Sequence, residues 1–117
     1  MVDEIRAVSK EEVLEHIRNG TAVVINVLAR RAFDDLHIKG SISIPFDILE
    51  DGELDAIGSN KNVITYCKSY TCGASMRAAR LLREKGLNAM AYEGGIDEWE
   101  QSGLPVEGNN ANSSKVS

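Results

Sequence analysis

The chain has 117 residues, 43% of them hydrophobic and 26% charged, which suits one soluble domain with a core of its own. Its net charge of −5 argues against a nucleic-acid-binding surface, and no apolar run approaches the ~20 residues that cross a bilayer. Two cysteines and two histidines are too few for a disulfide scaffold and ill suited to a four-ligand zinc centre, so no metal is expected. The first residues lack the apolar block of a secretory signal, and the expected location is the cytoplasm.

In chain order, Ser9-Lys10-Glu11-Glu12 has the capping-box pattern, and Val13, Leu14 and Ile17 form the apolar stripe of a helix that Asn19-Gly20 ends. His16 lies off that stripe and needs no function. Thr21 to Leu28 is nearly continuous apolar sequence, as in a central parallel strand, and is interrupted by Asn26, whose side chain must find hydrogen bonds. Ala29 to Leu36 reads as a short helix, His37 to Gly40 as a turn, and Ser41 to Pro45 as a short strand. A weak helix is expected around Leu54 to Ile57.

The informative stretch comes next. Val63 to Tyr66 are β-branched or aromatic, Cys67 follows at the strand end, and the small and polar residues after it include the good turn residues Ser69, Thr71 and Gly73. Met76 to Arg83 are helix formers, closed by Lys85-Gly86. A cysteine between a strand end and a helix N-terminus stands where open α/β sheets bind ligands and where backbone N–H groups favour an anion. The expectation is a Cys67 nucleophile with a lowered pKa, in a polar cradle to which Lys68 adds positive charge and Ser69 and Thr71 add hydroxyl donors.

Leu87 to Tyr92 is read as a fourth strand and Ile96 to Gln101 as a closing helix that follows a Glu93-Gly94-Gly95 turn. Residues 108–117 have almost nothing to bury and are expected to form a disordered tail. Alternating strands and helices predict a single α/β domain over residues 1–107, with a mostly parallel sheet flanked by helices on both faces.

Three ordered pieces resemble rhodanese-type sulfurtransferase domains. They are His37-Ile38-Lys39-Gly40-Ser41-Ile42-Ser43-Ile44-Pro45, then Tyr66-Cys67 with Ser75, Ala78-Ala79 and Leu82, and then Gly94-Gly95 with Trp99. The resemblance implies transfer of a sulfane sulfur, for example from thiosulfate, through a persulfide on Cys67 to a thiol or cyanide acceptor, with no cofactor. It places the anion-binding loop at Lys68, Ser69, Tyr70, Thr71, Cys72 and Gly73, whose backbone N–H groups would hold the persulfide, with Asn26 and Ser75 in support. The C-x4-C loop resembles that of one subgroup.

The chain departs from the family pattern after the second strand, where Asn26-Val27-Leu28 replaces Asp, any residue, Arg. Two other classes therefore stand beside the enzyme: a non-catalytic rhodanese-like binding or regulatory module, and a thiol redox protein using Cys67 and Cys72. Cys72 is either a resolving thiol or a residue that packs the loop base. A related class, the cysteine phosphatases, needs an arginine six positions after the cysteine, where this chain has Gly73. Tyr66 and Trp99 read as packing residues and His37 as pinning a turn. The natural sulfur donor and acceptor and the oligomeric state are left open.

Overall fold

The computed structural model describes residues 5–52, 57–58 and 62–111. The elements are α1 (Lys10–Asn19), β1 (Ala22–Asn26), α2 (Arg30–Asp35), β2 (His37–Ile38), β3 (Ile42–Ser43), α3 (Phe46–Glu50), β4 (Asn62–Tyr66), α4 (Ala74–Glu84), β5 (Ala89–Tyr92), α5 (Gly95–Gln101) and β6 (Val106–Glu107). Four strands form a parallel sheet in the order β3-β1-β4-β5, with Ile64 opposite Val24 on one side and Met90 on the other.

Alternation along each strand sorts side chains to the two faces. Val23 and Ile25, Val63, and Ala89 and Ala91 face a core that α3 and α4 cover with Leu49, Ala78, Ala79 and Leu82. Val24, Ile64, Tyr66, Met90 and Tyr92 face the opposite core, covered by Val13 of α1 and by Ile96 and Trp99 of α5. Alanines at 78, 79, 89 and 91 are fully buried and let α4 lie close to the sheet beneath the cysteine loop.

The capping box of α1 forms as its sequence implies. Ser9 Oγ accepts from Glu12 N–H at 3.1 Å, and Glu12 accepts from Ser9 N–H at 3.0 Å. Other expectations are corrected. His37-Ile38 is not a plain turn, because it pairs antiparallel with Val106-Glu107 in a second, two-stranded sheet. The strand expected over 41–45 shrinks to Ile42–Ser43, and Pro45 instead stands at the start of α3, a helix too short to show periodicity. Residues 54–56 of the helix expected near Leu54 to Ile57 lie outside the described residues; Ile57 is a buried turn residue.

Residues 108–111 of the expected tail are held by the α2 end. Asn109 and Asn110 donate backbone N–H groups to the carbonyls of Asp34 and Asp35, both at 2.8 Å. That hold needs Gly108, at φ +131°, since a Cβ there would lie 2.6 Å from the Asp35 oxygen. Residues 112–117 lie outside the described residues.

Candidate functional site

Cys67 follows β4 directly, at the carboxyl end of the sheet, and is fully buried. Strand alternation sends its side chain to the α4 face, beneath the first turn of that helix. Thr65, one step earlier on the same face, fixes that turn: its hydroxyl donates to the Ser75 carbonyl at 2.7 Å, with the Met90 carbonyl 3.3 Å away. The strand that delivers the cysteine therefore also anchors the helix above it.

The Cys67 thiol donates to the Cys72 carbonyl at 3.2 Å, and the Ser69 carbonyl lies 4.0 Å away. Burial first, and then the Cys72 side chain beside it, push the Cys67 pKa up, against the Ser75 backbone N–H and hydroxyl that favour its thiolate. This reverses the expectation from sequence. A helix N-terminus does lie at the sulfur, but enclosure in the core and a second thiol outweigh it. The Ser75 hydroxyl is buried with no hydrogen-bond partner and lies close enough to favour the Cys67 thiolate.

Cys72 is half-buried and is the thiol that ionises below its ordinary value. Burial raises its pKa, but donation from Cys67, the backbone N–H groups of Ala74 and Lys68, and the charge of Arg77 together outweigh that. The two thiols titrate as a pair, with Cys72 held below and Cys67 above the ordinary thiol value. Both cysteines are free.

The loop's other side chains have partners of their own. Lys68 pairs with Asp97 at 3.3 Å, Tyr70 donates to Glu98 at 3.2 Å, and Ser69 and Thr71 hydrogen-bond to each other at 2.9 Å. Lys68 also borders a cleft of about 260 Å³ with Leu28, Asp35, Asp97 and Glu100, so its charge is met by carboxylates. The donors that favour a Cys67 thiolate are the backbone N–H and hydroxyl of Ser75. Gly73 is the N-cap residue of α4, and no side chain reaches the sulfur from the position where phosphatases place their arginine.

Asn26 ends β1 beside Tyr66. Its Oδ1 accepts from Leu28 N–H at 2.9 Å, which turns the chain out of the strand, while its buried Nδ2 has no hydrogen-bond partner. Tyr66 itself is a core residue whose hydroxyl accepts from Ile38 N–H at 3.0 Å and meets Ser41 Oγ at 2.7 Å. The His37 ring stacks on Phe33 at 3.7 Å and bonds the Phe33 carbonyl at 2.6 Å, remote from Cys67 in role. Sequence reasoning gives no site role to two residues that shape the site. Thr65 looks like any strand residue, and Arg77 stands one turn into α4, its guanidinium 5.4 Å over the Phe46 ring.

A parallel sheet with a cysteine loop between β4 and α4 defines a cysteine-loop α/β domain. The chain belongs to the rhodanese-like domain family, whose model matches residues 9–102. It is 28% identical over 101 residues to the HTH-type transcriptional regulator Rv0324 of Mycobacterium tuberculosis, covering 86% of this chain and 44% of that protein. It is 31% identical over 95 residues to the uncharacterized protein slr1261 of Synechocystis, covering 80% of this chain and 51% of that one. The chain thus spans about half the length of the curated relatives it matches. The crystal structure of a rhodanese-related protein from Thermoplasma volcanium superposes with a TM-score of 0.76 at 26% identity, covering 87% of this chain and 97% of that one.

Proposed function

We propose that the domain is a sulfurtransferase that carries a sulfane sulfur as a persulfide on Cys67. The observation that supports this most is the placement of the Cys67 sulfur beneath the first turn of α4, facing the Ser75 N–H and hydroxyl. Such donors stabilise an anionic sulfur without protonating it.

In this reading the neighbouring Cys72, held as thiolate by its lowered pKa, takes the proton of Cys67. The Cys67 thiolate then attacks the outer sulfur of thiosulfate, forming a sulfur–sulfur bond as sulfite leaves with the electron pair of the broken one. A thiol or cyanide acceptor attacks the outer sulfur of the persulfide and returns Cys67 as thiolate. Reduced acceptors and free thiols suit the cytoplasm.

The test is thiocyanate formation from thiosulfate and cyanide. The wild-type chain is expected to turn over and Cys67→Ser to lose all activity; equal background rates in both would contradict the proposal.

A second reading is favoured by the regulator among the relatives and by Leu28 in place of the family arginine. There the same cysteine pair is a sensing module, whose sulfur or redox state is reported to a partner or an attached domain. Stoichiometric sulfur uptake without turnover would support it.

A further inference from the structure

The Cys67 thiol donates to the carbonyl of Cys72 at 3.2 Å, and Cys72 packs against the core cluster that holds Cys67. A 3.1 Å bond from Cys72 N–H to the Ser69 carbonyl curls the loop so that its fifth residue returns to its first. The backbone N–H groups of Ala74 and Lys68 also favour the Cys72 thiolate. Cys72 therefore stands within the same loop as the sulfur that takes up cargo, packed against its cluster. Packing alone does not need this, since Cys72 is only half-buried and a small apolar residue would fill the loop base equally well.

We propose that Cys72 discharges the Cys67 persulfide as hydrosulfide, closing a Cys67–Cys72 disulfide. The inference rests on the sulfurtransferase reading and gives the domain a second activity, reduction of sulfane sulfur to sulfide. The Cys72 sulfur attacks Cys67 Sγ, the inner sulfur of the persulfide, and the bond between inner and outer sulfur breaks. The outer sulfur leaves with that electron pair and with the Cys72 proton, as hydrosulfide. The Cys72 sulfur is oxidised and the sulfane sulfur is reduced, so no outside oxidant enters. A small thiol reductant then reopens the disulfide.

Geometry selects the inner sulfur. Residue 72 already meets Cys67 Sγ through its carbonyl at 3.2 Å, whereas the outer sulfur of a persulfide extends one bond further from the Cys67 side chain. Leaving-group chemistry agrees, because hydrosulfide is the conjugate base of a stronger acid than an alkyl thiol and departs more readily than a Cys67 thiolate. Discharge by Cys72 competes with any external acceptor, so the occupancy of the persulfide depends on acceptor supply.

The test uses the whole chain, without air, at alkaline pH where Cys67 ionises without help. Wild type and Cys72→Ser are treated with thiosulfate, and sulfite, hydrosulfide and intact mass are followed together. The expected result for wild type is one sulfite and one hydrosulfide per chain, with a final mass two hydrogens below the start. For Cys72→Ser it is one sulfite, complete loss of hydrosulfide release, and a stable gain of one sulfur. Wild type that keeps the added sulfur as stably as Cys72→Ser would overturn the inference and leave the sulfurtransferase reading standing. Peptide mapping that finds the sulfur moved onto Cys72 would also overturn it, as a relay in place of a discharge. No sulfite from either chain would remove both readings together.

Discussion

Gly95 presses on the carbonyl of Lys68. A Cβ built on Gly95 would lie 2.5 Å from the Lys68 carbonyl carbon and oxygen and 2.6 Å from the Cys67 oxygen, and Gly95 holds φ at +68°. This closeness lets Ile96 N–H reach the Cys67 carbonyl at 3.0 Å and Asp97 N–H reach that of Lys68 at 2.9 Å. The Gly-Gly of the closing motif is thus the clamp on the start of the cysteine loop. Gly95→Ala is expected to cost about 3 kcal/mol of stability, from a left-handed backbone and a clash that backbone atoms cannot relieve. Urea unfolding measures it, and an unchanged midpoint would show that α5 does not hold the loop.

Asn26 and Leu28 are expected to behave as a pair. Asn26→Asp keeps the acceptor for Leu28 N–H but puts a carboxylate at a fully buried site with Leu28 where the family carries arginine. The single change should destabilise by about 2 kcal/mol or more at neutral pH. Burial raises the folded-state pKa of that carboxyl, so its loss grows as pH rises above the ordinary Asp value of about 3.9 and fades below it. Asn26→Asp with Leu28→Arg should recover stability, with a favourable coupling of about 1 to 3 kcal/mol in a double-mutant cycle. Strict additivity would mean that the two positions do not communicate.

The thiols should separate in alkylation. Cys72 is half-buried and ionises first, while Cys67 is enclosed and holds its proton to higher pH. Iodoacetamide followed by peptide mass mapping is expected to label Cys72 first, with a pH midpoint below the ordinary thiol value of about 8.5, and Cys67 later. Faster labelling of Cys67 would contradict the proton assignment within the pair.

Much of this site was legible in the chain order, and the reasons are local. A β-branched run, then Cys67, then a loop with Ser69, Thr71 and Gly73 and a helix can be read within some twenty positions, because each piece announces its own backbone preference. What could not be read comes from distant partners. Asp97, which takes up Lys68, is 29 residues away, and nothing near Lys68 distinguishes a cation free for substrate from one already paired. The Cys67 pKa failed for a related reason. The helix N-terminus was visible in sequence, but the depth of burial and the Cys72 thiol belong to the fold. Among the elements, β2 and β6 are two residues each and exist only as partners of one another, and α3 has five residues, too few for a period to show.

Alkaline stability should carry the mark of Tyr92. Burial, and then its hydrogen bond to Glu98 at 2.7 Å, push its pKa far above the ordinary tyrosine value of about 10. A folded-state pKa raised in this way contributes stability that is fully present below the unfolded value and lost as pH rises beyond it. Thermal melting should therefore fall steeply above pH ~10 in wild type and less steeply in Tyr92→Phe. At neutral pH the substitution should cost about 1 kcal/mol, the net worth of one hydrogen bond. Parallel alkaline limbs would show that Tyr92 does not ionise with unfolding.

The central claim, a persulfide on Cys67, is tested most directly by intact mass in the background where nothing can discharge it. Cys72→Ser, and the same chain with Cys67→Ser added, are incubated with thiosulfate at alkaline pH. The account predicts a gain of one sulfur atom on the first chain, released by cyanide as thiocyanate, and no gain on the second. An unchanged mass for a folded Cys72→Ser chain, or an equal gain in both, would contradict it.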